Sequence, residues 1–310
     1  MTINILFSAS SEGWDRYEFP LRKTLDEFNL RYHLSTEISA NQVDYIIYAP
    51  QSGLEDFSPF TRCKAVLNLW AGVEDVVGNK TLTIPFARMV DHGLTQGMME
   101  WVVGHVMRHH LGMDQHILGQ DGKWKQHVPP LAQDRIISIL GLGHLGSKCA
   151  KALSDIGFQV RGWSRTKKHT DSIFCFSGTS GLKASLKGAD FVILLLPATP
   201  DTENTLNEKT LSLMKRGAFV INPGRGPLIN DEALLRALDS GQITHATLDV
   251  FRTEPLHKSH PYWSHQKVTV TPHIAAATRA EYAAPVIVEN IRRGENGEPF
   301  LNLVNRERGY

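Results

Sequence analysis

The strongest structural signal in this chain lies in the segment Arg135-Ile-Ile-Ser-Ile-Leu-Gly-Leu-Gly-His-Leu-Gly-Ser-Lys-Cys-Ala-Lys-Ala-Leu153. Its first part, residues 136–140, is almost wholly apolar, which is typical of a buried parallel strand. A Gly-x-Gly-x-x-Gly turn follows, and apolar residues then recur at helical spacing. In such a strand–turn–helix, Gly141 permits the tight turn, Gly143 lets a pyrophosphate approach the backbone, and Gly146 lets the helix pack closely. The segment therefore predicts a dinucleotide-binding unit.

The composition is that of an ordinary globular protein. The 310 residues are enough for two domains, and 42% of them are hydrophobic. A net charge of +1 gives no general attraction to nucleic acid or membranes, and the longest apolar run, residues 191–196, is too short to span a bilayer. No signal peptide is visible, and the 3 cysteines, which form no Cys-x-x-Cys motif, are interpreted as buried thiols of a reducing compartment. We therefore expect a cytoplasmic protein that binds neither nucleic acid nor membranes.

Short strand patterns alternate with helical patterns along the chain. In its first part, strands are predicted at residues 3–7, 43–48, 65–69 and 84–87, and a helix at 16–28. Further on, strands are predicted at residues 136–140, 159–163, 191–196, 218–221, 246–250 and 268–270, and helices at 145–156, 182–186, 207–214 and 231–238. This alternation predicts an α/β fold of two Rossmann-like domains with doubly wound parallel sheets.

A long helical pattern at residues 96–118 predicts a helix that crosses between the domains. The substrate-binding (catalytic) domain is predicted to comprise residues 1–102 with 275–310, and the dinucleotide-binding domain residues 103–274. The last helix, at residues 278–293, should fold back onto the first domain, whereas the polar tail at 302–310 should be loosely held.

Two histidines on the crossing helix, His105 and His109, are spaced i, i+4 and could bind a metal. No third ligand lies near them in the sequence. We therefore expect rings that pack against the protein, and no metal.

Basic residues stand where the second strand of the dinucleotide-binding unit ends. An acidic residue about 20 positions after the glycines would hold the ribose 2′-hydroxyl of NAD(H). Here residues 163–168 are Trp-Ser-Arg-Thr-Lys-Lys. A carboxylate would repel a 2′-phosphate, whereas an arginine donates charge-assisted hydrogen bonds to it. A solvated basic loop is the alternative, but it does not explain the missing acid, so NADP(H) is predicted to be preferred over NAD(H).

Three candidate catalytic residues, Arg225, Glu254 and His273, follow predicted strands of the second domain. Loops at the carboxyl ends of parallel strands share one edge of the sheet, so these residues are expected there. Hydride attack on a carbonyl carbon leaves an oxygen that needs a proton, and histidine is the usual donor near neutral pH. A carboxylate on the other ring nitrogen orients the ring, and an arginine binds a substrate carboxylate. The alternatives are a structural histidine and a surface glutamate that precedes a proline.

Together these motifs resemble the D-isomer-specific 2-hydroxyacid dehydrogenase family over almost the whole chain. Residues 141–146, 222–226 (Asn-Pro-Gly-Arg-Gly), 248–255 (Leu-Asp-Val-Phe-Arg-Thr-Glu-Pro) and 271–275 (Thr-Pro-His-Ile-Ala) carry the resemblance. Residues 145–148, 163–166 and the terminal Arg308-Gly-Tyr310 are similar to a subgroup that reduces glyoxylate and hydroxypyruvate. Pro223-Gly224 and Glu74 depart from the common family pattern and leave the shape of the pocket open.

The resemblance implies reduction of small 2-ketoacids with NADPH, glyoxylate to glycolate and hydroxypyruvate to D-glycerate. Arg225, Glu254 and His273 would be the catalytic residues, with His273 as proton donor. Backbone amides of the loop Trp70, Ala71, Gly72 and Val73 would bind the substrate carboxylate, and the crossing helix would help to form a homodimer. The expected cofactor contacts are Gly141, Gly143, His144, Leu145, Gly146, Trp163, Ser164, Arg165, Thr166, Lys167, Pro197, Thr202, Asn222, Pro223, Gly224, Asp249 and Ala275.

Other functions fit the same patterns. Among enzymes, the alternatives are a reductase of larger 2-ketoacids and a formate or phosphite dehydrogenase. The Glu254–His273 pair argues against oxidation of formate. A non-catalytic nucleotide-sensing protein, such as a corepressor, is a third alternative because a fold alone does not establish catalysis.

Overall fold

In the residues that the structure describes, 2–170, 173–307 and 309, the strands form two parallel sheets, one of five strands and one of seven. This computed structural model divides the chain into two compact units, Met1–Leu94 with Ala277–Tyr310 (unit 1), and Thr95–Ala276 (unit 2). The predicted α/β class with two parallel sheets is confirmed. The roles assigned to the two domains are not tested by this division.

Strands and helices alternate along most of the chain. The strands of the described residues are β1 (Ile3–Ser8), β2 (Tyr32–Ser35), β3 (Tyr45–Tyr48), β4 (Ala65–Asn68), β5 (Phe86–Ala87), β6 (Ile136–Leu140), β7 (Gln159–Ser164), β8 (Phe174–Ser177), β9 (Phe191–Leu194), β10 (Ala218–Asn222), β11 (Ile243–Leu248) and β12 (Val268–Val270). The α-helices are α1 (Ser11–Glu27), α2 (Glu74–Val77), α3 (His92–His110), α4 (Met113–Ile117), α5 (His144–Ile156), α6 (Gly178–Leu186), α7 (Glu208–Leu211), α8 (Asp231–Asp239) and α9 (Ala280–Glu295).

Unit 1 has the strand order β2-β1-β3-β4-β5, with apolar clusters on both faces of the sheet. Helix α9 packs with α1, where Ile287 and Leu25 belong to one buried cluster, which confirms that the last helix folds onto the first domain. Helix α1 begins five residues earlier than predicted because the Ser10 hydroxyl accepts the N–H of Gly13 at 3.2 Å and caps it. Strand β2 was not predicted, because only Leu34 of its four residues is buried.

The carboxyl-terminal tail is more firmly held than expected. Leu303 forms an antiparallel bridge with Ala87 of β5, and Val304 donates its N–H to Phe86 at 2.9 Å. The guanidinium of Arg306 binds backbone carbonyls of the loop that follows α2, including that of Leu82. The tail is therefore part of unit 1 up to this residue. The similarity placed on Arg308 and Tyr310 lies outside the described residues.

Unit 2 has the strand order β12-β11-β10-β9-β6-β7-β8, so β6 lies where the order reverses. Strands β6 and β12 have the predicted bounds, and Asn230 caps α8 as expected, accepting the N–H of Ala233 at 2.9 Å. The edge strand β8 was not predicted, because its first residue, Phe174, is 76% exposed and the other three are half-buried. Ligands of such sheets bind outside the carboxyl ends of the strands near the reversal.

The predicted crossing helix at residues 96–118 is two helices. Helix α3 ends at His110, and α4 begins after Gly112, whose φ of +63° is a left-handed conformation that glycine adopts without strain. The prediction of three buried thiols was also wrong in part, because Cys149 is buried whereas Cys63 and Cys175 are half-buried; all three are free. Within the described part of the chain, every helix is too short or too polar to cross a membrane.

Histidines of α3 pack against the sheet of unit 2. The ring of His109 stacks on Phe219 with centroids 5.0 Å apart, and its Nε2 lies 2.8 Å from Thr247 Oγ1. The ring of His245 lies 4.9 Å from that of His109, and its Nε2 is 2.8 Å from Thr269 Oγ1. Among the described residues, no group of three or more His, Cys, Asp or Glu could hold a metal ion. The rings of His109 and His245 thus pack and form hydrogen bonds within unit 2, and the ring of His105 packs against Trp101 with centroids 4.3 Å apart.

We predict that these histidines make the protein sensitive to acid. Burial lowers the pKa of His109 to about 3 and that of His245 to about 4. The unfolded chain takes up protons near pH 6.5 and the folded chain does not, so the free energy of unfolding should fall as the pH falls from about 6.5 towards 4. When the pH falls from 7.5 to 5.5, each histidine should lower the free energy of unfolding by up to about 1.4 kcal/mol. Urea unfolding at the two pH values measures this.

The variant His109→Gln should lose part of this pH dependence, and His33→Gln on exposed strand β2 should keep all of it. An unfolding free energy that is independent of pH over this range would contradict the prediction.

Candidate active site

The centre of the candidate site is a histidine–carboxylate pair in unit 2. His273 follows β12 with a φ of +53°, and its Nδ1 lies 2.6 Å from Glu254 Oε2. The other carboxylate oxygen of Glu254 accepts the N–H of Phe251 at 2.9 Å, which fixes the carboxylate. The two side chains are 51% and 34% exposed, and His273 Nε2 has no hydrogen-bond partner among the described residues. A ring held in this way can donate a proton from Nε2 to a ligand.

A buried carboxylate shapes the loop that carries His273. Asp249 is fully buried; its Oδ1 accepts the Thr271 hydroxyl at 2.5 Å and the N–H of Ile274 at 2.9 Å. Its Oδ2 accepts the N–H of Ala275 at 2.9 Å. Asp249 and Ala275 were expected to contact a cofactor. Both are buried, and their hydrogen bond helps to hold the backbone around His273; their contact with a cofactor stays a prediction.

The Arg225 loop rests on two residues predicted as cofactor contacts, Asn222 and Gly224. Asn222 is 1% exposed; its Oδ1 accepts the N–H of Gly224 at 3.1 Å and its Nδ2 donates to the Arg225 carbonyl at 2.9 Å. A Cβ on Gly226 would lie 1.9 Å from the carbonyl carbon of Phe251, so only glycine lets this loop pack on the chain that leads to Glu254. Pro223 is buried beside them. The half-buried Arg225 is thus held next to the loop of Glu254.

The glycine turn between β6 and α5 has the predicted geometry at two positions. Gly141 has a φ of +110°, and a Cβ on Gly146 would lie 1.8 Å from the carbonyl oxygen of Gly141. At Gly143 a Cβ would meet nothing within 4 Å, so this face is open. Helix α5 has no side-chain cap, which leaves backbone N–H groups and the positive end of the helix dipole at the turn. His144 and Leu145 begin the helix; His144 Nε2 lies 3.1 Å from Thr95 Oγ1.

The basic loop after β7 begins with a buried residue. Ser164 is 8% exposed, and its hydroxyl donates to the Thr166 carbonyl at 2.8 Å, so it stabilises the turn; its contact with a cofactor stays a prediction. Arg165, Thr166 and Lys167 are exposed. Lys168, which was not among the predicted contacts, donates to the Leu142 carbonyl and ties this loop to the glycine turn.

Two further predicted contacts, Trp163 and Thr202, are also used within unit 2. The indole N–H of Trp163 donates to the Gly178 carbonyl at 2.8 Å. The hydroxyl of Thr202 donates to the Pro197 carbonyl at 2.7 Å and closes the turn after β9.

In unit 1 the loop Trp70–Val73 is shaped by a residue that the sequence interpretation missed. Asn68 is 1% exposed, and its Nδ2 donates to the carbonyls of Trp70 at 3.0 Å and Gly72 at 2.9 Å. An amide residue at the end of a strand is a known turn former, which is the signal that could have identified it. The N–H of Val73 is bound by Glu74 Oε2 at 2.9 Å. This amide, predicted to bind a substrate carboxylate, is therefore already occupied.

Comparison with known proteins gives matches over most of the chain. Residues 101–275 match the family model described as D-isomer specific 2-hydroxyacid dehydrogenase, NAD binding domain. The glyoxylate/hydroxypyruvate reductase A of Yersinia enterocolitica is 41% identical over 255 residues, which cover 80% of this chain and 82% of that protein.

Solved structures agree with these matches. A D-isomer specific 2-hydroxyacid dehydrogenase from Xanthobacter autotrophicus Py2, in complex with NADPH and MES, superposes with a TM-score of 0.92 at 37% identity over 100% of both chains. An NADPH-dependent glyoxylate/hydroxypyruvate reductase from Sinorhizobium meliloti, in complex with NADP and sulfate, gives a TM-score of 0.84 at 30% identity over 100% of this chain and 99% of the other. The protein is an enzyme with a nucleotide-binding dehydrogenase domain, and the chain belongs to the D-isomer specific 2-hydroxyacid dehydrogenase family.

Proposed function

We propose that this enzyme reduces small 2-ketoacids with NADPH, glyoxylate to glycolate and hydroxypyruvate to D-glycerate, and that His273 donates the proton. The observation that carries this proposal is the 2.6 Å contact between His273 Nδ1 and Glu254 Oε2, on a loop at the carboxyl edge of the sheet in unit 2. The names of relatives at 38–41% identity support the choice of substrates.

Each residue has a distinct task in this proposal. NADPH, when bound, supplies the hydride that attacks the carbonyl carbon. His273 holds a proton on Nε2 and gives it to the carbonyl oxygen, while Glu254 keeps the ring oriented and stabilises its charged form. Arg225 binds the substrate carboxylate, because a guanidinium matches its two oxygens. In unit 1, the backbone amides of Ala71 and Gly72 are our candidate donors for a substrate carboxylate.

The residues of unit 2 fit a dinucleotide phosphate. The open face at Gly143 and the uncapped start of α5 suit a pyrophosphate. Exposed Arg165, Thr166 and Lys167, without any acid in residues 163–168, suit a 2′-phosphate. We therefore propose NADP(H) as the preferred cofactor.

A homodimer and a cytoplasmic location belong to the same proposal. The segment from Met113 to Leu131 exposes six large apolar side chains, among them Trp124 at 92% and Val128 at 87%, more than a free surface segment normally leaves in water. We propose that a second copy of the chain covers them. The three free cysteines suit a reducing compartment, and a net charge of +1 provides no basis for nucleic-acid or membrane binding.

The first prediction of this proposal is the loss of reduction in His273→Ala. Removal of a general acid should lower kcat by about 10²–10⁴-fold while NADPH still binds. Glu254→Gln should lower kcat less, because the ring of His273 keeps a hydrogen-bond partner, although that partner no longer carries a negative charge. NADPH oxidation with a panel of 2-ketoacids, and cofactor binding by fluorescence, measure both effects.

Exposed His257 on a neighbouring loop provides the control, since His257→Ala should reduce ketoacids at the wild-type rate. Full activity of His273→Ala would end the assignment of this residue. A wild type that oxidises NADPH with none of the ketoacids would favour a nucleotide-binding protein without catalysis.

The cofactor preference is tested at Arg165. Hydrogen bonds to charged groups contribute about 1.5–3 kcal/mol, so Arg165→Ala should lower kcat/KM for NADPH roughly tenfold to a hundredfold. NADH has no 2′-phosphate, so its kcat/KM should barely change. Gly143→Ala adds a methyl group that meets no protein atom within 4 Å, so it should weaken the binding of NADPH and of NADH by the same factor. A wild type that prefers NADH would contradict the assignment.

The assembly is tested by light scattering. Wild type should have about twice the chain mass of 34.6 kDa at micromolar concentration. The double variant Trp124→Ser, Val128→Ser should be monomeric, because burial of these side chains would drive association. Phe19→Ser, at another exposed apolar position in unit 1, should stay dimeric. A monomeric wild type would reject the proposal.

A further inference from the structure

Arg88, at the end of β5, carries a charge that no described residue pairs with. Its side chain is half-buried, and its guanidinium has no hydrogen-bond acceptor and no carboxylate at ion-pair distance among the described residues. Burial lowers its pKa below the ordinary value of a guanidinium. A half-buried charge without a counter-ion costs free energy, so a ligand that brings a negative charge would offset that cost.

The position of Arg88 puts it beside the predicted substrate loop of unit 1. Strand β5 pairs with β4 so that Leu67 is opposite Ala87. The residues that follow this pair are Asn68 in β4 and Arg88 directly after β5. Just beyond, the N–H of Met89 donates to the Trp70 carbonyl at 3.0 Å. The residue thus lies next to the amide that shapes the loop, at the carboxyl edge of the sheet.

The loop Trp70–Val73 has backbone N–H groups that suit an anion, and it lies beside a carboxylate that would repel an anion. The N–H groups of Ala71 and Gly72 have no acceptor among the described residues. The carboxylate of Glu74 lies on the N–H of Val73 and adds a negative charge to the loop. A positive charge close to this loop would favour the binding of a second carboxylate.

We propose that Arg88 provides this positive charge and binds the carboxylate group shared by all 2-ketoacid substrates, together with the N–H groups of Ala71 and Gly72. A carboxylate has about four acceptor positions on two oxygens, so it can accept all of these donors. This inference rests on the proposed function, and it adds a side chain to the backbone donors of the loop in unit 1.

The variant Arg88→Gln separates binding from stability. KM for glyoxylate and for hydroxypyruvate should rise by the same factor, roughly tenfold to a hundredfold, with kcat changed little and KM for NADPH unchanged. The melting temperature without ligand should equal or exceed that of the wild type, because an unpaired half-buried charge is removed. A residue with only a structural role would instead lower the melting temperature.

Arg62 is the matched control in the same unit, because its guanidinium is paired with Asp44 at 2.8 Å. Arg62→Gln should lower the melting temperature or leave it unchanged, and should not alter KM for either ketoacid. A wild-type KM in Arg88→Gln would overturn the inference. A rise for hydroxypyruvate alone would overturn the assignment to the shared carboxylate.

Oxalate provides a readout that does not depend on turnover. It should raise the melting temperature of the wild type and not that of Arg88→Gln; an equal rise in both would reject Arg88 as a carboxylate ligand. The proposed function itself fails in a different way, if the wild type reduces no 2-ketoacid. The two failures are therefore distinguishable.

Discussion

The geometry of the candidate site depends on the fully buried carboxylate of Asp249. Its two oxygens accept the Thr271 hydroxyl and the N–H groups of Ile274 and Ala275, so the loop that contains His273 closes around a group that can only accept. An amide of the same shape would place an NH2 group against one of these donors and leave it unpaired. The left-handed backbone of His273 is held by this network, and its ring is thereby brought to Glu254.

Carboxylates also fix the opposite edge of both sheets. Asp44 and Asp190 each precede a strand, and each exchanges two hydrogen bonds with the start of the neighbouring strand, at Asn4 and Ile136 respectively. Burial opposes the charge of Asp190, but its hydrogen bonds, the one from Lys215 foremost, hold its pKa below the ordinary value. Apolar strands can slide against one another, whereas these directional bonds fix their register. The loops at the carboxyl edge therefore start from fixed positions.

The predictions succeeded where one element has one strong local signal. Strand β6 is apolar except for Ser138, and β12 is the β-branched run Val-Thr-Val. The glycine turn has steric requirements that few residues satisfy. The edge strands β2 and β8 were missed because a strand with solvent on one side and at its edge has little apolar pattern. The break at Gly112 was missed because apolar spacing continues across it, although the backbone does not.

Side-chain roles were predictable by position but less so by direction. The sequence indicates that Ser164, Asn222 and Asp249 follow or end strands, yet all three point inwards and bind backbone groups. A polar side chain at a strand end has two uses, to hold its own loop or to meet a ligand, and the sequence does not distinguish them. Asn68 illustrates the same ambiguity, since its Nδ2 donates to two backbone carbonyls of the loop that follows it.

The exposure of His273 and Glu254 affects the strength of the electrostatic attraction between them. With His273 and Glu254 about half and one third exposed, solvent screens their attraction in the protein without ligand. A substrate that covers the pair removes that water, and the same 2.6 Å contact then acts in a medium of lower dielectric constant. In the proposed function, the attraction between the two side chains is then strongest when the carbonyl oxygen of the substrate lies at the ring. The partial exposure of this pair therefore suits a group that must first be reached by a ligand and only then act as an acid.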